Sequence, residues 1–220
     1  GIITPEVHLE NLIRQHAEYQ GMLDMAATIA RQRHPGDAKA ERALYNQLTA
    51  GLQQKVTETA GEIAATRAMR TDPRFGVDPN NPDSRPMEIF RGFEAGTGFD
   101  QVWVRRDASG RITEILVVEA KGPGATTAQT KRKGAQMSAE WVARTAAEMV
   151  MHGDDGTGTL ILDALRSGRP PIGGIVIQAA DRTGTPGSIT GAPGTHGPHH
   201  HFALAELRQH NPIKDVAAIA

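Results

Sequence analysis

Residues 94–121 read EAGTGFDQVWVRRDASGRITEILVVEAK, and the fold turns on how this stretch is interpreted. Two apolar runs rich in β-branched residues, 99–104 and 112–118, flank the turn Asp107-Ala108-Ser109-Gly110. That pattern predicts a β-hairpin. Asp100 stands at the start of the first strand, and Glu119 and Lys121 stand at the end of the second. Chain reversal sets the start of one strand beside the end of the other, so Asp100 and Glu119 are predicted neighbours across 19 positions of sequence. Glu119 and Lys121, two residues apart on an extended chain, leave the same face, while Ala120 points the other way into packing.

Two carboxylates brought to one point repel unless a cation lies between them, and hard oxygen ligands favour a divalent ion such as Mg²⁺. A lysine beside that ion would orient or deprotonate water, or steady charge developing on a phosphate. By itself, Glu-x-Lys at a strand end reads as a solvated ion pair. Three features favour a site instead: Asp100 as a partner supplied by topology, the Gly96-Thr97-Gly98 approach, and the Gly122-Pro123-Gly124 break after the lysine.

Asp100 followed by Glu119-Ala120-Lys121 resembles the core of the PD-(D/E)xK, or restriction-endonuclease-like, nucleases. The longer run GTGFDQVWV…ILVVEAKG…KGAQMSAEWV is similar to the nuclease toxin domains of bacterial polymorphic toxins, of the contact-dependent inhibition and type VI effector kinds. The resemblance covers about a quarter of the chain, residues 94–142. It implies Asp100 and Glu119 as metal ligands, Lys121 as the catalytic lysine, Glu94 as an acid ahead of the hairpin and Gln136 as a polar residue that helps shape the site. Phe99 stands before the aspartate where the family name has proline. Glu88 is a second upstream acid; Glu94 lies nearer the Gly-rich approach.

At 220 residues the chain can bury one good core, or one core with a helical appendage. With 39% hydrophobic and 22% charged residues its composition is that of a soluble globular protein. It has no cysteine, which excludes disulfides, thiolate metal sites and cysteine nucleophiles. A formal net charge of −1 gives no overall attraction to nucleic acid. From Asp100 to Arg144, however, eight cations stand against five acids, a local excess suited to phosphate binding. Lys131, Arg132 and Lys133, with Arg105 in the hairpin, are the candidates to grip backbone phosphates. No apolar run approaches the length of a membrane span and no signal peptide opens the chain. Gly1 reads as a cut point, so the sequence reads as a fragment of something larger.

Along the chain, helical spacing predicts an amphipathic helix over 5–33 with Leu9, Leu12, Ile13, His16, Tyr19, Leu23, Ala26 and Ile29 on its apolar face. His34-Pro35-Gly36 ends it, and Asp37 caps a second helix over 38–69 that could break near Gly51 or Gly61. Residues 71–87, with four prolines, read as a loop or linker. Helical spacing returns over 134–152, with Gln136 opening the helix and Trp141 read as core. A short helical turn at 160–165, a buried strand at 172–179, a long Gly/Thr/Pro loop at 181–197 and a closing helix at 203–209 follow. His196, His199, His200 and His201 form a cluster that reads as an exposed group, or as zinc ligands or acid–base groups.

The expected fold is α/β: a twisted central mixed sheet with a crossover helix, as in a restriction-endonuclease-like core, plus an N-terminal helical hairpin. Residues 1–70 form the helical region, 71–87 the linker and 88–220 the core. The resemblance implies a Mg²⁺-dependent nuclease toxin, with Zn²⁺ or Mn²⁺ as alternative ions and DNA favoured over tRNA as substrate. It further implies a cognate immunity protein and delivery into the cytoplasm of a competing cell. Two other readings remain: a catalytically idle binding module, and a hydrolase centred on the histidine cluster.

Overall fold

The computed structural model describes residues 4–91, 98–126, 129–130, 133–153, 156–191, 195–196 and 201–202, of which 91, 129–130, 195–196 and 201–202 are described in backbone only. Glu94, Lys131, Arg132, His199, His200 and the expected helix at 203–209 lie outside the described residues.

Three helices open the chain. α1 (Pro5–Arg33) starts where the Thr4 hydroxyl accepts from the Val7 amide, with proline in its first turn. Its buried side is narrower than the periodicity suggests: Leu12, Leu23, Ala26 and Ala30 are buried, while Ile13 and Ile29 are exposed. α2 (Ala38–Leu48) is capped by Asp37, whose carboxylate accepts from the Ala40 amide. The break that follows falls at Gly51, in the left-handed region at φ 78°, and α3 (Leu52–Thr71) continues straight through Gly61.

The sheet begins with β1 (Glu88–Arg91), β2 (Gln101–Arg106) and β3 (Ile112–Lys121), an antiparallel meander. A small two-stranded ribbon, β4 (Gln129–Thr130) with β5 (Gly134–Ala135), leads into α4 (Ala139–Met151) and α5 (Thr157–Ser167). The chain then crosses back as β6 (Ile172–Ala179), parallel to β3, with Glu119 opposite Val176 and Lys121 opposite Gln178. β7 (Pro186–Gly191) pairs with β6, as does β9 (His201–Phe202), which also pairs with β8 (Thr195–His196). The result is an α/β fold on a mixed sheet. Among the described residues no helix is long and apolar enough to cross a membrane.

Period-two alternation sorts the side chains into two cores. Val102, Val104, Ile115 and Val117 face α4 and α5, packing with Val142, Met149 and Ile161. Trp103, Leu116, Val118, Ile175 and Ile177 face α3, packing with Ala65, Ala68 and Met69. Trp141 is core, set edge-on to Phe99 at 5.5 Å.

Four local differences from the sequence reading have physical causes. The helix expected at 134–152 starts at Ala139, because Gly134 and Met137 take positive φ and the Ser138 hydroxyl caps the Trp141 amide. Gln136 therefore sits in the turn before the helix rather than on it. The expected loop at 181–197 contains β7, which is possible because the Asp181 carboxylate accepts from the amides of Thr183 and Thr185 and turns the chain sharply. The helical turn expected at 160–165 extends to the full span of α5. Finally, residues 71–87 are mostly loop, as expected, but the loop is packed down: Phe75 and Met87 are buried with the α3-side core, and the Met87 amide bonds the Phe75 carbonyl.

Candidate active site

The register Gln101–Val118 places Asp100 one step further on, opposite Glu119. The Asp100 carboxylate accepts from the Ala120 amide at 2.9 Å, fastening the start of β2 to the end of β3. Lys121 Nζ lies 2.8 Å from Glu119 Oε1 and 2.9 Å from Gln136 Oε1. Gln136 Nε2 in turn donates to Glu119 Oε1. Since an ammonium only donates, the carbonyl end of Gln136 must face Lys121, and its amide end then faces Glu119. The structure thus brings Asp100, Glu119, Lys121 and Gln136 to one point at the C-terminal end of β3.

A fifth residue enters from the opposite layer. Glu62, on α3, is only 3% exposed and lines the same cleft of about 610 Å³ as Asp100, Glu119 and Lys121. Glu58, one helical turn earlier, also lines this cleft. What lets α3 come so close is a pair of glycines. A Cβ on Gly61 would lie 2.7 Å from the Lys121 carbonyl carbon, and one on Gly122 would lie 2.7 Å from the Thr57 carbonyl oxygen. Helix and strand therefore meet backbone to backbone, and the packing runs across the boundary at residue 70 drawn from the sequence. Glu62 was not among the candidates read from the sequence. Its signal was an acid inside a run of small residues, Thr59-Ala60-Gly61-Glu62-Ile63-Ala64-Ala65, in a helix with no other reason to bury a charge.

Burial dominates the electrostatics. It raises the Glu62 carboxyl well above its ordinary value, and the charges of Asp100 and Glu119 push it further, against the Gln101 hydrogen bond. Burial also raises Asp100, opposed by the Ala120 amide, by a hydrogen bond with Glu119 and by Lys121. Glu119 is pushed up to about 8, first by burial and then by Asp100, with Lys121 pulling the other way. Asp100 and Glu119 share the Lys121 ammonium, yet burial prevails at Glu119, which keeps its proton at neutral pH, and the two carboxyls lie close enough to share one.

These residues fit a hard divalent ion. Among the described residues no three His, Asp or Glu side chains form a preformed cage. Mg²⁺ does not need one, because it is commonly held by one or two carboxylates and otherwise by water. The adjoining Asp100 and Glu119 oxygens supply that pair, with Glu62 at the same cleft, and all are the oxygen donors such an ion prefers.

The candidate phosphate-binding residues fare differently. Arg105 is corrected to a structural role: it is 2% exposed and pairs with Glu114 at 3.1 Å. Its remaining donors reach the carbonyls of Arg74, Gly76 and Arg85. Burying a guanidinium beside β3 requires these acceptors, and they leave it no face for a phosphate. Lys133 is paired with Glu148 at 2.9 Å and lies 5.9 Å from the Trp141 ring centre. Glu88 pairs with Arg106, away from the cleft-lining residues. The backbone of His201 pairs with Gly173, five residues before Gln178 opposite Lys121. The β8–β9 ribbon therefore meets β6 roughly 16 Å along the strand from the acids.

No protein-family model matches the chain, and no curated protein or solved structure shows significant similarity to it.

Proposed function

We propose that this chain is a metal-dependent nuclease of the restriction-endonuclease-like kind, serving as the toxic domain of a bacterial polymorphic toxin. The observation that carries the nuclease reading is the convergence of Asp100, Glu119 and Lys121 with Gln136 at a single cleft, joined there by Glu62 from the facing layer. The sheet supports it too: an antiparallel meander extended in parallel by β6 through crossover helices is the mixed architecture that the resemblance implies. The toxin role, the immunity partner and delivery into a competing cell's cytoplasm follow from the resemblance alone.

Asp100 and Glu119 would hold Mg²⁺, with Glu62 completing the acidic wall and Mn²⁺ or Zn²⁺ as alternative ions. When bound, the ion supplies positive charge for the phosphate undergoing attack. Lys121, beside Glu119 at the cleft, donates to a water or to a phosphoryl oxygen as charge builds there. Gln136 fixes both partners of the Glu119–Lys121 pair, so the ammonium is aimed before substrate arrives.

DNA is the favoured substrate and tRNA the alternative on the same scaffold. Plasmid and total tRNA, incubated separately with the protein and Mg²⁺, distinguish them. DNA cleavage should require the ion, stop with chelator, and fall by about 100-fold or more in Glu119→Gln and Lys121→Met, as for loss of a group that stabilises transition-state charge. Undiminished cleavage by Glu119→Gln would remove the site, and no cleavage of either nucleic acid would favour an idle binding module.

A further inference from the structure

Gln101 is fully buried on the face of β2 that meets α3, a place that apolar packing would ordinarily fill. Both ends of its amide are engaged. The Trp103 indole donates to Oε1 at 2.9 Å, while Nε2 donates to Glu62 Oε2 at 2.7 Å and to the Thr66 hydroxyl at 3.1 Å. The Thr66 hydroxyl donates to the Glu62 main-chain carbonyl at 2.9 Å. An indole N–H can only donate, so it fixes which end of the amide faces it. With Oε1 held by Trp103, the NH₂ group must point to Glu62. The chain of bonds grips Glu62 at both its carboxylate and its backbone. Joining a helix to a strand needs no buried acid, and apolar residues of the same size would do it at least as well.

We propose that Gln101, oriented by the Trp103 indole, is a positioning residue that holds the Glu62 carboxylate in the cleft for the divalent ion. The inference rests on the metal-dependent reading above and adds to it a hydrogen-bond chain that runs from the hydrophobic core to Glu62. Partners that orient metal ligands typically change affinity by about 10–100-fold when removed.

Titration calorimetry with Mn²⁺ on the full chain tests it, alongside urea unfolding of each variant without metal. Gln101→Met keeps length and apolar bulk but loses both donors. Trp103→Phe keeps an aromatic ring in the core but loses the orienting N–H. Leu116→Ala, on the same face and outside the hydrogen-bond chain, is the control for simple destabilisation. The expected result is about tenfold or more weaker Mn²⁺ binding in Gln101→Met and several-fold weaker binding in Trp103→Phe. The control should bind as the wild type does despite a lower unfolding midpoint. If Gln101→Met does not fold, Trp103→Phe decides. Wild-type affinity in the variants, or an equal loss in Leu116→Ala, overturns the positioning role and leaves the nuclease reading standing. A wild-type protein that takes up no Mn²⁺ overturns both.

Discussion

At the scale of single residues, the cluster of raised carboxyls sets a pH dependence opposite to that of most acid-paired proteins. Glu119 binds its proton up to about pH 8 in the folded chain, against an ordinary value of 4.5, and Glu62 and Asp100 shift the same way. Between those limits the folded protein holds more protons than the unfolded one. Its stability is therefore full at the acidic end and declines as pH rises through this window. Thermal midpoints of the metal-free protein should fall from pH 5.5 to pH 8.5. Mg²⁺ should restore them, and by more at the higher pH, because deprotonated acids bind it more tightly and a ligand that binds only the folded state stabilises it more the further its concentration exceeds its dissociation constant. A metal-free midpoint that climbs steadily across this range would mean that the acids are not desolvated as described.

At the scale of elements, two contacts determine whether the site forms. The first is the seam between α3 and β3. In an exposed helix interior, replacing glycine with alanine stabilises by about 1 kcal/mol. At Gly61 the added methyl would meet the Lys121 carbonyl carbon at 2.7 Å, and neither backbone can yield without moving the whole element. Overpacking of this kind costs about 1–3 kcal/mol. Gly61→Ala should therefore lower the urea midpoint and, by displacing Glu62, weaken Mn²⁺ binding as well. A stabilised Gly61→Ala protein would show that the seam is looser than described. The second contact is the Arg105 clamp, which ties residues 74–85 to β2 through three carbonyls and Glu114. Removing one partner of a buried ion pair costs about 3–5 kcal/mol. Arg105→Ala should lose stability on that order, while cleavage per folded molecule stays near wild type. A selective loss of nucleic-acid affinity at unchanged stability would return Arg105 to the substrate surface.

At the scale of the whole molecule, the helical N-terminal region and the sheet share one core. α3 supplies Ala65, Ala68 and Met69 to the layer under Trp103, Leu116 and Ile177, and it carries Glu62 to the cleft. A fragment of residues 72–220 would expose that apolar sheet face to water, at a loss of roughly 25 cal/mol for each Å² left uncovered. It should show no cooperative thermal transition and no Mn²⁺ uptake, as read by circular dichroism and calorimetry. A fragment that melts cooperatively would prove residues 1–71 a separable appendage.

What the sequence determined by itself was local. Alternation at 99–104 and 112–118 set the hairpin, and chain reversal then made Asp100 and Glu119 neighbours with Lys121 on the same face. Capping by Asp37, and a break at one of two glycines in the second helical stretch, were likewise written in short-range chemistry. Only the tertiary structure decided the rest. Periodicity marked Gly61 as a possible break, but its role is close approach to a strand 60 residues away, a property of two elements together. Glu62 joined the cleft, and Arg105 left the substrate surface, for the same reason. Whether a charge is buried, and what lies opposite it, depends on the partner surface rather than on its neighbours in the chain.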